Sequence, residues 1–381
     1  MRVYLDYNAT APIRAEVLDA MLPYLGERWG NPASRHWFGQ GALRAVDAAR
    51  AEVAALIGAR PQEIVFTSGG TEAGNLALLG YMLACDGARR RLVTTVIEHP
   101  AILEAANALE NFGVPVQRLG ADSDGRVNPR EAIQALGDDV ALISVMLANN
   151  DVGTMQPLEA IARAARSRGV GVHTDAVQAV GRVPVDVEAL GVDLLSLSAH
   201  KLGGPQGVGA LYVRSGTRIK PRSHGGAQES GLRAGTLNVA GIVGFGRACA
   251  LAKSELTDAA FRMAALRDRL ERGIRERVAG ALRNGPASER LPNTTNLSFE
   301  GINGESLLMM LDALGVATSN GSACTAGSAN PSHVLLAMGL GHARAASALR
   351  FSLGIGTREE EIDFAVDAVV EAVGSLREAR P

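Results

Sequence analysis

The residues best able to do chemistry sit in short polar stretches between apolar runs. Residues 319–331 read Ser-Asn-Gly-Ser-Ala-Cys-Thr-Ala-Gly-Ser-Ala-Asn-Pro and carry one thiol, Cys324. A packing cysteine usually lies inside an apolar run. The small, turn-forming residues around this one cannot build a core, and they predict a wet, mobile segment holding a nucleophile that travels. Residues 67–72, Thr-Ser-Gly-Gly-Thr-Glu, open a helical pattern. Glycines let backbone N–H groups approach an anion, and a helix start adds positive potential, so Gly70 and Thr71 fit a phosphate cradle. A glycine turn with an N-cap is the alternative reading. The stretch follows neither the dinucleotide nor the P-loop glycine pattern, which weakens both of those readings. His99 stands between Glu98 and Pro100 after an apolar run, and Asp175 ends another, where a carboxylate needs a cationic partner. Lys201, within Ser-Ala-His-Lys-Leu-Gly-Gly-Pro at 198–205, reads at least as well as a Schiff-base lysine as it does as a surface lysine.

One cofactor needs this combination. A phosphate cradle, an aspartate for a protonated pyridine nitrogen and a lysine for an imine are the requirements of pyridoxal phosphate. Asp175 would keep the ring positive, so that it draws electrons from a bonded carbon. Asn150 and Gln178 are the candidates for the ring's phenolic oxygen. No aromatic residue falls at a suitable strand end, which leaves His99 as the flat side chain to cover the ring.

The elements that must hold these groups follow from the apolar pattern. Strands are expected at 63–66, 91–97, 140–147, 169–174, 193–198 and 208–213, with helices opening at Thr71 and Pro100. Such alternation predicts an α/β fold with a largely parallel sheet covered on both faces, and ligands bind such sheets at the carboxyl ends of the strands. A long surface helix is expected over 255–278. Beyond the turn at 284–286 the pattern changes to a strand at 296–299, helices at 305–314 and 331–338, a strand at 349–353 and a last helix from Arg358. The expected organisation is an N-terminal arm (1–14) belonging to the smaller domain, a large cofactor domain (15–255), and a small α+β domain (256–381) carrying Cys324.

Composition narrows the function classes. The formal net charge is -2, from 38 Lys+Arg against 40 Asp+Glu, and no basic run points to nucleic acid. Apolar runs are too short to span a bilayer, and the N-terminus lacks the pattern of a signal peptide. Three widely spaced cysteines imply neither a disulfide framework nor a metal site, so a reducing cytoplasm is the expected setting. Cys85 and Cys249 lie in helical stretches and read as packing residues.

The chain resembles the cysteine desulfurases of the NifS/IscS type, within the class-V aminotransferases. The resemblance rests on residues 4–12, 67–75, 173–178, 198–201, 224–228, 231–236, 321–324 and 350–353, in that order and spacing. It implies the type I fold of pyridoxal-phosphate transferases, with a mostly parallel seven-stranded sheet. It also implies a homodimer acting on L-cysteine, with alanine as product and sulfur carried as a persulfide on Cys324. Lys201 would bond the cofactor, Asp175 would face the pyridine nitrogen, and His99 would stack on the ring and shuttle protons, helping Cys324 to ionise. Gly70, Thr71, Ser198 and His200 would hold the phosphate, and Thr236 would reach the phosphate of the other subunit. Arg350, assisted by Asn8, would take the substrate carboxylate. Selenocysteine lyase or another class-V activity is the alternative, and a sulfur-transfer subunit without catalysis fits the intact Lys201, Asp175 and Cys324 poorly. Departures from the common pattern are Ala199 for glycine, Asp151 for glutamate and Ser230 for arginine. The receiver of the sulfur is an acceptor protein. An iron–sulfur scaffold is one candidate acceptor, and the short stretch after the last helix leaves its docking open.

Overall fold

The computed structural model describes residues 1–85, 87, 89–320 and 331–379. Cys324 therefore lies outside the described residues. The chain opens with the short strand β1 (Val3–Tyr4). Seven strands then form the main sheet: β2 (Ile64–Thr67), β3 (Arg91–Thr95), β4 (Val116–Leu119), β5 (Val140–Ser144), β6 (Gly171–Asp175), β7 (Leu194–Ser198) and β8 (Gly209–Val213). Their spatial order is β2-β8-β7-β6-β5-β3-β4. All neighbours are parallel except β8, which runs antiparallel to both β2 and β7.

Successive strand residues explain why these runs are apolar throughout. Phe66, Val93, Ile143, Leu195 and Tyr212 enter one core cluster, while Val65, Leu92, Leu142, Leu194 and Leu211 enter another. Side chains alternate along a strand, so a sheet covered on both faces needs apolar residues at every step. The helix Gly70–Ala84 covers one face, and the helix Leu158–Ser167 helps cover the other.

A third cluster joins Val3 and Leu5 of the N-terminal arm to Leu270, Phe299, Phe351 and Val369. It surrounds a second sheet. After β9 (Ala281–Asn284), β10 (Thr294–Phe299), β11 (Val316–Ala317) and β12 (Ala348–Ser352), the order is β12-β10-β9, all antiparallel. β1 pairs in parallel with β11.

The long helix differs from its expected extent. It runs over Val239–Arg277, so the expected boundary at 255/256 falls inside one continuous helix. Its first half lacks a charged stripe because it is packed on its sides. A Cβ on Gly246 would lie 2.6 Å from Ala49 Cα, within the helix Trp37–Leu56. Glycine there permits close helix contact, and that contact leaves no amphipathic signal to read. Among the described residues, no helix is long and apolar enough to cross a membrane.

Candidate active site

The carboxyl ends of β2, β3, β5, β6 and β7 meet at one cavity of about 320 Å³. Eleven of the residues singled out in the sequence line it. Gly70 and Thr71 come from the β2 end, His99 from β3, Asn150 from β5, and Asp175 and Gln178 from β6. Ser198, His200 and Lys201 follow β7, Asn8 comes from the N-terminal arm, and Arg350 from β12. Thr236 is exposed and does not line it.

Local packing shapes the β2 end. Gly209 pairs with both Thr67 and Ser198, so β8 lies between the two strand ends. A Cβ on Gly209 would sit 2.6 Å from the Leu197 carbonyl oxygen and 2.7 Å from Gly69 Cα. Its absence lets the Ser68–Gly70 turn cross the sheet end. The helix Gly70–Ala84 then begins with no side-chain cap, leaving N–H groups of its first turn without intrahelical partners. A Cβ on Gly70 would meet Val177 Cγ2 at 2.8 Å, so glycine also seats this helix start against the loop after β6.

His99 caps the helix Pro100–Asn111: its Nδ1 accepts from the Ala101 N–H at 3.1 Å. That bond places the proton of a neutral ring on Nε2. His200 has Nδ1 3.1 Å from Thr10 Oγ1. Burial, aided by Lys201 and Arg182, depresses His200 to about 4, so the ring is neutral at pH 7. Asp175 opens onto the cavity. Its Oδ1 accepts from the Val177 N–H at 2.9 Å, and surrounding protein raises its pKa while His99 and Lys201 oppose that rise.

The Lys201 amine donates to the carbonyls of Asn8 and Ala9, both at 2.6 Å. Its cradle is therefore main chain of the N-terminal arm. Gln178 Nε2 donates to the same Asn8 carbonyl at 3.0 Å, and Arg182 donates to Gln178 Oε1 and, at 3.2 Å, to the Tyr7 carbonyl. The Asn8 side chain is occupied by protein. It donates to the Asn150 carbonyl at 3.0 Å and to Thr294 Oγ1 at 2.9 Å, and it accepts from Asn293 at 3.1 Å. Asn150 donates to Asp151 at 2.8 Å, while its Oδ1 is buried without a partner. Arg350 pairs with Asp6 at 2.7 Å and more loosely with Asp151 at 3.4 Å, and its Nε is buried and unpartnered.

Sequence reasoning missed Glu98, Arg182 and Asp6. Glu98 is fully buried, and burial raises it to about 8; its Oε1 accepts from Thr95 Oγ1 and the Met146 N–H, and its Oε2 has no partner. Its place after an apolar run is the one signal in the sequence, and that signal does not separate a buried carboxyl from surface charge. Arg182 carries no comparable signal, since its neighbours come from the distant arm. Cys249 is buried and its thiol pKa is raised by burial, in keeping with a packing role.

The family model for class-V aminotransferases matches residues 3–364. The cysteine desulfurase IscS of Dictyoglomus turgidum is 46% identical over 379 residues, covering 100% of this chain and 96% of that protein. A solved NifS-like protein is 40% identical with a TM-score of 0.93, covering 99% of this chain and 100% of the other. The solved complex of SspA with cysteine is 35% identical with a TM-score of 0.82, over 92% of this chain and 99% of the other. With the main sheet, the strand-end cavity and near full-length similarity all in agreement, the chain belongs to the class-V aminotransferases and, within them, to the cysteine desulfurases of the NifS/IscS type.

Proposed function

We propose that this cavity holds pyridoxal phosphate and that the protein uses it to take sulfur from L-cysteine onto Cys324. The class-V family depends on this cofactor in general. The fit is supported by features of this chain: uncapped N–H groups at the start of the Gly70–Ala84 helix, the Asp175 carboxylate facing the cavity, and the partnerless Asn150 Oδ1. The observation that carries the reading is the convergence of Lys201, Asp175 and Arg350 on one cavity. When bound, the cofactor supplies a carbonyl for amines and a positive ring that draws electrons from the attached carbon.

The chain's residues do the rest. Uncapped N–H groups with Ser198 and neutral His200 hold the phosphate. Asp175 keeps the pyridine nitrogen protonated. Arg350 offers its guanidinium to the substrate carboxylate, with Asp6 holding Nη2. Asn8 acts through its backbone, because its carbonyl receives both Lys201 and Gln178. Lys201 carries the proton between the substrate Cα and the growing alanine. His99 covers the ring, and since its Nδ1 is engaged by Ala101, the first proton it exchanges is one it gives from Nε2. The Cys324 thiolate bonds to the substrate sulfur as the Cβ–S bond breaks and Cβ gains a proton. Cysteine and thiol thus become alanine and persulfide, with no external oxidant. The persulfide then passes to an acceptor protein. Thr236, exposed and away from its own cavity, serves the phosphate of a second subunit in a homodimer.

The test is cysteine-dependent release of alanine with persulfide mapped to Cys324 by mass spectrometry. Cys324→Ser should keep the yellow colour of a lysine-bound cofactor and its response to cysteine, yet release no sulfur. Desulfuration by that variant at the parent rate, or a protein that stays colourless with added cofactor, would overturn the reading.

A further inference from the structure

We propose that Asp151 is a positioning residue that links the substrate-carboxylate site at Arg350 to the chain just beyond the Cys324 segment, through Ser332. The proposal rests on the desulfurase reading above and concerns how that site is organised.

Asp151 is 1% exposed. Its Oδ1 accepts from Asn150 Nδ2 at 2.8 Å and lies 3.4 Å from Arg350 Nη1, and its Oδ2 accepts from Ser332 Oγ at 2.5 Å. Ser332 is itself buried and caps the helix His333–Ala337 by accepting from the Val334 and Leu335 N–H groups. His333 Nε2 lies 3.0 Å from the Glu98 carbonyl, next to His99. Upstream, Ser319 and Arg350 exchange backbone hydrogen bonds at 3.2 and 2.6 Å. The described chain on either side of residues 321–330 is thus fastened to residues of the cavity wall or their immediate neighbours.

Charge gives this arrangement a consequence. Arg350 faces two protein carboxylates, Asp6 closely and Asp151 loosely. A third carboxylate, from the substrate, competes with them for one guanidinium. The hydroxyl of Ser332 and the amide of Asn150 hold the Asp151 charge, and so keep it from closing on Arg350. When the substrate carboxylate binds, Asp151 relies more on Ser332. Coupling of this kind is reciprocal, so the seating of Ser332 favours substrate and substrate favours that seating.

The test measures how much cysteine half-saturates the colour change of the cofactor-loaded protein, alongside its thermal midpoint. Ser332→Gly is the informative variant, because glycine is tolerated at an N-cap and the lost cap costs little. Freed from Ser332, Asp151 should compete at Arg350 and raise the half-saturating cysteine about three- to tenfold. Asp151→Asn removes the competing charge, so adding Ser332→Gly to it should change half-saturation by less than about twofold. Ser332→Thr, which keeps the hydroxyl, should behave as the parent. Equal effects of Ser332→Gly in both backgrounds, or no effect in the parent, would overturn the proposal. Should the glycine variant be unstable, Ser332→Ala in the same two backgrounds gives the same comparison. The parent is measured first: no response to cysteine would count against the desulfurase reading, whereas a normal parent with additive variants counts only against the role of Asp151.

Discussion

Asp175 and Glu98 are neighbouring carboxyl groups, both raised by burial, that meet different surroundings. Asp175 meets the cavity and has Lys201 as a positive neighbour, while Glu98 is sealed and has only neutral donors on Oε1. Replacing Asp175 with alanine should weaken cofactor retention and slow alanine release by on the order of a hundredfold, since a charge aimed at the reacting system is lost. Absorbance of the purified protein and an alanine assay check both effects. For Glu98, the folded state raises the pKa from 4.5 to about 8 by burial first and by Asp175 second. Between those values the folded protein binds more protons than the unfolded chain, so this group makes stability fall as pH rises through that window. Glu98→Gln should remove that loss. Denaturant unfolding at about pH 5 and about pH 8.5 should show the variant gaining on the parent at the higher pH, by a few kcal/mol at most. A difference that stays constant with pH would show that Glu98 does not titrate in this window. Glu98 itself was hard to recognise in the sequence. A lone glutamate before a histidine reads as surface charge, and its state depends on Met146 and Thr95 closing over it.

At the scale of elements, the turn over the end of β2 is governed by a residue on another strand. Gly209 of β8 leaves room for Gly69, so Gly209→Val should displace the uncapped helix start. Cofactor affinity should fall by about tenfold or more, and titration of the cofactor-free protein with pyridoxal phosphate measures it. The central strands and the helices that start at their ends were legible because their apolar runs are bounded by polar strand ends. β4 was not: Val116–Leu119 includes Gln117 and Arg118, as an edge strand allows. β1 and β11 are two residues each and pair across most of the chain, beyond the reach of any local pattern. The early start of the Val239–Arg277 helix was hidden for a different reason. Its glycines and alanines answer to neighbouring helices, such as Trp37–Leu56, rather than to solvent.

At the scale of the molecule, Thr236 gives the clearest expectation. It is exposed and lies outside the cavity of its own chain, so a phosphate role requires a second copy. Light scattering should give about twice the 39.7 kDa chain mass. In mixed dimers, a Thr236→Ala chain should weaken cofactor binding only at the neighbouring subunit's Lys201. Equal loss in its own subunit would place the residue differently. The sequence by itself supplied the residue types on which the proposed chemistry rests: a thiol among small residues, a lysine after an apolar strand, an aspartate ending another, and glycines that let an anion approach. Those residue types are chosen by reactivity, and reactivity is local. Only the tertiary structure decided the partners. Lys201 rests on carbonyls of the N-terminal arm, Arg182 clamps that arm to Gln178, and Asp151 stands between Arg350 and Ser332. These contacts join residues far apart along the chain, and hydrogen bonds depend on distance and direction that spacing in sequence does not carry.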